Sequence, residues 1–131
     1  MNNSPGPHNI SDWFWNILAQ ADRDPDKLLE ILTEFDYHQL SRFEYEYRRA
    51  AGYLFEVRFL EHMEGTSEDD IEDLTRWIVG KGKDYYFEIW NHPERTPSVV
   101  ANDGQDLSSI AWKVLINKYA SIPADFGETS D

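Results

Sequence analysis

The chain has 131 residues and a mass of 15.4 kDa, room for one domain and not for two comfortable ones. Twelve Lys plus Arg against 25 Asp plus Glu leave a net charge of −13, which argues against a basic face for nucleic acid or anionic membrane. Cysteine is absent, excluding disulfides and thiolate metal sites, while 15% aromatic residues predict a packed core rather than a disordered chain.

Met1 to Ile10 reads as a flexible arm, with Pro5, Gly6 and Pro7 breaking regular structure. It has no basic residue and no apolar stretch, so it is neither a signal nor a transit peptide. No apolar run approaches the ~20 residues of a membrane span, and a soluble cytoplasmic protein is expected. Ser11 then caps a first helix with Asp12 in its opening turn. Phe14, Ile17, Leu18 and Ala21 fall at helical spacing, flanked by Trp13 and Trp15. Asp24 caps a second helix, and Pro25 suits its first position, where a missing N–H costs nothing. Leu28, Ile31, Leu32 and Phe35 repeat the stripe.

A third helix begins at Asp36 or Tyr37, with Leu40, Phe43, Tyr47, Ala50 and Leu54 inward and Gly52 as its weak point. Unbroken, it runs to His62. Phe55-Glu56-Val57-Arg58-Phe59 also alternates with the period of a strand, but a lone strand would have no partner, which favours helix. Ser67 caps a fourth helix with Asp70 at capping-box spacing, and Gly80 or Gly82 ends it. Ile71, Leu74, Trp77 and Ile78 face inward. A short fifth helix from Lys83 to Asn91 stops at His92-Pro93. Glu94 to Gln105 is a loop, and Asp106 or Ser108 opens a last helix carrying Leu107, Ile110, Ala111, Val114 and Leu115. The expected fold is all-α: a single-domain bundle of five to six short helices over residues 11–120, with a polar tail over 121–131. Ile17, Leu28, Leu32, Phe43, Leu54, Leu74, Trp77 and Ile78 should be buried together, and truncating Trp77 should cost ~3–5 kcal/mol.

Two blocks carry a family resemblance. Phe14-Trp15-Asn16-Ile17-Leu18, with Asp24-Pro25 leading into Leu28-Leu29, forms the first. Ser67-Glu68-Asp69, Trp77-Ile78-Val79-Gly80-Lys81-Gly82, Tyr85 and His92-Pro93 form the second. Over roughly residues 11 to 93 the chain resembles the bacterial family catalogued as domain of unknown function 4240. Asp70-Ile71 replaces that family's usual Gly-Phe, and Thr75 its usual Arg, with Arg76 one step later. The resemblance implies a helical fold and a bacterial origin, and no mechanism.

The acidic cluster is the strongest non-random feature. Glu61, Glu64, Glu68, Asp69, Asp70, Glu72 and Asp73 lie together without an intervening Lys or Arg. Glu68, Asp69 and Asp70 complement a helix N-terminus, each by ~0.3–1 kcal/mol; Glu61 and Glu64 gain nothing from it. A solvated helix start and a docking surface for a basic partner are both consistent with this pattern. A metal site would need His62 or the Ser67-Asp69-Asp70 turn to converge on a cation, and the ligand spacing of an EF-hand is missing.

No catalytic, metal or cofactor-binding residue is assigned, and no cofactor is expected. His8, His38, His62 and His92 are scattered, and Ser98, Ser108 and Ser109 lack a nucleophile-elbow context. Gly80-Lys81-Gly82-Lys83 lacks the strand and spacing of a phosphate loop and reads as a helix end. Of five tryptophans, Trp15 and Trp77 suit a core, while among Trp13, Trp90 and Trp112 one or two, Trp13 or Trp90, suit partly exposed interface anchors. The leading expectation is a non-enzymatic acidic protein-binding module, most concretely an immunity-type protein neutralising a basic toxin or effector. A regulatory or scaffold module is the alternative, and a metal-assisted hydrolase using the acidic cluster the weakest reading. Glu30, Glu34 and Glu46 are expected on outer helix faces.

Overall fold

The computed structural model describes residues 6–64, 67–100, 107 and 109–119. Their regular structure is helical throughout, with no strand among the described residues. In chain order the helices are α1 (Asp12–Ala21), α2 (Pro25–Thr33), α3 (Tyr37–Gly52), α4 (Val57–Leu60), α5 (Glu68–Gly80), α6 (Lys83–Asn91) and α7 (Ile110–Tyr119). Single 3-10 turns occupy Pro7–Asn9 and Pro93–Arg95. None of the described helices is long and apolar enough to cross a membrane. The opening of the last helix at Asp106 or Ser108 and the tail over 121–131 lie outside the described residues.

Helix starts follow side-chain chemistry. Ser11 accepts from Phe14 N, Asp24 from Asp26 N and Ser67 from Asp70 N. At α3, Asp36 and Gln39 form a reciprocal capping box that the sequence reading did not single out.

The described helices number seven rather than five to six because the third expected element breaks. Helix α3 ends at Gly52, and Leu54 N and Phe55 N close i→i+3 bonds to Ala51 O and Gly52 O. One turn, α4, follows, so residues 53–60 are neither continuous helix nor strand. Leu54 and Phe59 are both fully buried. Five residues apart on an unbroken helix they would point about 140° away from each other, so the break lets both reach one core.

Helix α3 contacts α1, α5 and α7; α2 packs on α1 and α7, and α6 on α5. The buried apolar residues form one cluster extending from Ile10 to Val114. Its centre is aromatic: the Phe14 ring lies 5.0 Å from Phe43 and 5.8 Å from Tyr47, the latter edge-on. The expected core residues are buried, with one correction. Trp77 is only half-buried, its ring edge-on to Tyr85 and covered by the Lys81 ammonium at 4.6 Å.

Two more expectations change. The arm does not extend to Ile10: Asn9 N and Ile10 N donate to Gly6 O and Pro7 O, and Ile10 joins the core. Met1 to Pro5 lie outside the described residues. Glu46 is not on an outer face; it is 6% exposed, and its carboxylate accepts from Ser11 N at 2.7 Å and Ser11 Oγ at 2.8 Å. Arg42 Nε completes the set at 2.9 Å.

Polar bonds lock the helices in register. The Tyr47 hydroxyl donates to Arg76 O and the Tyr86 hydroxyl to Ala50 O; burial pushes the Tyr86 hydroxyl well above its ordinary pKa. Lys118 Nζ donates to Thr33 O and Phe35 O, closing the C-terminal end of α2 from α7.

Gly80 is required by a close approach. A Cβ there would stand 2.9 Å from Tyr47 Oη, which its hydrogen bond holds in place. Gly80→Ala is therefore expected to destabilise by about 1–3 kcal/mol despite the gain in helix propensity. In a Tyr47→Phe background the same substitution should cost less, a coupling that urea denaturation of the four proteins measures.

Candidate functional site

The acidic cluster is built on the first two turns of α5 and the segment before it. Glu68, Asp69 and Asp70 occupy the first turn, Glu72 and Asp73 the second, and all five are exposed. Glu64 is exposed as well, and its backbone N–H donates to Ser98 O at 2.9 Å, tying residues 98–100 alongside α5. Glu61 stands apart, with one oxygen 3.7 Å from His62 Nε2.

Among the described residues, Glu64, Glu68, Asp69, Asp70, Glu72 and Asp73 form no ion pair. Elsewhere many acids are compensated. Glu44 meets Arg76 at 3.2 Å and Arg48 at 3.9 Å, Glu56 meets Arg58, and Glu88 meets Arg95. The cluster therefore presents uncompensated charge to solvent, where like potentials add.

The helix divides these carboxylates between two concavities. Glu68, Asp69 and Glu72 line one with Arg48, Arg76 and the exposed ring of Phe55. Glu64, Asp70 and Asp73 line the other with Ser98, Val99 and Val100. Val99 is 55% exposed and Val100 43%. Glu61 lines neither. The acidic ridge thus has exposed apolar side chains on both sides, beside Arg48 and Arg76 on the Phe55 side, which charge counting along the sequence does not reveal. A faint signal existed for one border, since Val99-Val100 is an apolar pair within a loop otherwise rich in polar and turn residues.

Trp13 and Trp90 are half-buried. Trp13 stacks on Phe35 and lies under the Arg42 guanidinium at 4.5 Å; Trp90 packs on Phe59 under Arg58 at 4.3 Å. Neither belongs to the acidic concavities. Trp112 is the more exposed residue, at 59%.

No family model, curated protein or solved structure matches this chain.

The site's chemistry consequently rests on its own geometry. The carboxylates diverge over two sides of a helix, and among the described residues no group of three or more His, Asp or Glu side chains is placed to hold a metal ion. His8 and His38 are exposed, and His92 Nδ1 lies 3.6 Å from Glu94. The Gly80–Lys83 segment ends α5 and starts α6, with Gly82 at φ 105° between them. An exposed acidic ridge bordered by apolar side chains can attract a cationic surface and then exclude water from the contact.

Proposed function

We propose that this chain is an acidic protein-binding module, a single-domain helical bundle of the immunity type, that docks a basic partner on the exposed side of α5. The supporting observation is the run of six carboxylates, without an ion pair among the described residues, between Phe55 on one flank and Val99 and Val100 on the other. A helix start that merely favours anions needs carboxylates in its first turn only; Glu64, Glu72 and Asp73 lie outside that turn. The apolar borders fit a contact that desolvates its centre rather than a purely solvated patch. The resemblance to the bacterial domain of unknown function 4240 is compatible with this reading.

Co-expression with the products of neighbouring genes tests it. A basic protein should be retained on this chain, and changing Glu64, Asp70 and Asp73 to Lys should slow its association about tenfold at low salt. The effect should shrink as salt shortens the ~8–10 Å screening length. The control is an equal charge change at the exposed Asp26, Glu30 and Glu34 on α2. Glu46 is unsuitable for that control because it holds Ser11. Equal slowing by both triple changes means that net charge alone matters and the α5 ridge is not the site.

A further inference from the structure

Helix α7 is apolar on two faces. Ile110, Ala111 and Val114 are buried against the rest of the bundle. A second stripe, Trp112, Leu115, Ile116 and Tyr119, recurs at i, i+3, i+4 and i+7 and spans about 100° of the helix. Trp112 is 59% exposed and Ile116 43%, while Leu115 and Tyr119 are half-buried. The stripe continues onto the start of α3, where the 53%-exposed Tyr37 stands edge-on to Tyr119 with ring centroids 5.4 Å apart. Trp13, Trp77 and Trp90 are each covered by a cation, whereas Trp112 has no cation or ring against it among the described residues.

Two properties of this face define what fits it. The first is charge. Among the described helices longer than one turn, α7 alone carries no Asp or Glu, and it adds Lys113 and Lys118. It offers no carboxylate to a basic partner. For a second copy of a chain of net charge −13, it is where like-charge repulsion is smallest. The second property is symmetry. The stripe reads aromatic, aliphatic, aliphatic, aromatic, and it is symmetric about the midpoint between Leu115 and Ile116. Two antiparallel copies set Trp112 of one against Tyr119 and Tyr37 of the other, with the aliphatic pairs at the centre. That self-complementarity is what an isologous contact demands.

We propose that the outer face of α7 is a self-association surface, on which a second copy of this chain docks with α7 antiparallel to α7. With an aromatic side chain taken as about 200 Å², Trp112, Tyr37 and Ile116 leave on the order of 300 Å² of apolar area open per copy. A standard interface takes ~800 Å² from each partner, about 60% of it apolar. The stripe supplies most of that apolar share, while the net charge of both copies opposes the contact. The dimer is therefore weak and tightens as salt screens the two copies. Salt acts in the opposite sense on the docking of a basic partner at α5, and the dimer does not rest on that reading.

Sedimentation equilibrium of the full chain, from micromolar to millimolar concentration, tests the assignment. A monomer–dimer equilibrium that tightens with sodium chloride is expected. Trp112→Ser and Ile116→Lys should each weaken it at least tenfold, with an unchanged far-UV spectrum because both side chains are exposed. Val57→Ser, at a residue 75% exposed on α4, should leave it unchanged. In dimers of one labelled and one unlabelled copy, intermolecular nuclear Overhauser contacts should join the Trp112 indole to the Tyr119 ring. A monomer at every concentration and salt overturns the proposal. So does a dimer that Trp112→Ser and Ile116→Lys leave intact, or that Val57→Ser weakens equally. Contacts from Trp112 to Trp112 in place of Tyr119 overturn the antiparallel arrangement.

Discussion

Phe14→Ala is expected to lower the unfolding free energy by about 3–5 kcal/mol, a large fraction of the stability of a domain this size. The side chain is fully buried, and its ring is surrounded by those of Trp15, Phe43 and Tyr47 at 5.0–5.8 Å. Such rings are stiff and come from two helices, α1 and α3, so they cannot close over the space left behind. The loss combines the transfer free energy of the ring with the cavity. Trp77→Ala should cost about half as much, because its ring is only half-buried and is covered on one side by the Lys81 ammonium. Urea denaturation of both variants decides the order. A larger loss at Trp77 would mean that the centre of the core lies near α5 rather than between α1 and α3.

Glu46→Ala should cost about 3 kcal/mol, an unusual loss for an acidic residue on a chain overloaded with acids. Its carboxylate accepts three hydrogen bonds, from Ser11 N, Ser11 Oγ and Arg42 Nε, at 2.7–2.9 Å. Hydrogen bonds to charged groups contribute about 1.5–3 kcal/mol each before the removed partners regain water. Arg42 is more than half exposed, so its share is discounted for screening. Most of the loss falls on Ser11, the N-cap of α1. In a capping box the third helical residue reaches back to the cap; here that residue is Phe14, which the core claims. Glu46 supplies the missing acceptor from α3, thirty-five positions away in sequence. Glu46→Gln keeps one acceptor oxygen and should lose about half as much. A cycle with Ser11→Ala should show coupling. A Glu46→Ala protein as stable as Glu30→Ala would contradict this account.

The elements that local chemistry controls were legible from residue order. The caps at Ser11, Asp24 and Ser67 act over two or three residues, and each start is where the sequence places it. The stops at Gly80 and His92 follow for the same reason, as does the inward stripe of α1; in the stripes expected for α2 and α5, Leu28, Leu32, Leu74 and Ile78 are buried while Ile31, Phe35, Ile71 and Trp77 are only half-buried. The acidic run was equally plain, because charge is a property of composition. Its division was not. Which carboxylates share a concavity depends on what packs beside α5, and both Phe55 and residues 98–100 arrive there through turns whose course no short window of sequence sets.

The remaining differences share one cause: contacts between residues far apart along the chain. An all-α chain with caps at defined serines and aspartates follows from backbone hydrogen-bond demand and side-chain period, which any short window of sequence contains. The break at Gly52 follows from Leu54 and Phe59 needing the same core. Ile10 and Glu46 face inward because α1 lies against α3, and Gly80 is glycine because Tyr47 passes 2.9 Å from where a Cβ would be. Propensity and period act over a turn or two of chain, whereas burial acts through space, and only the packed helices determine which distant side chains share one environment.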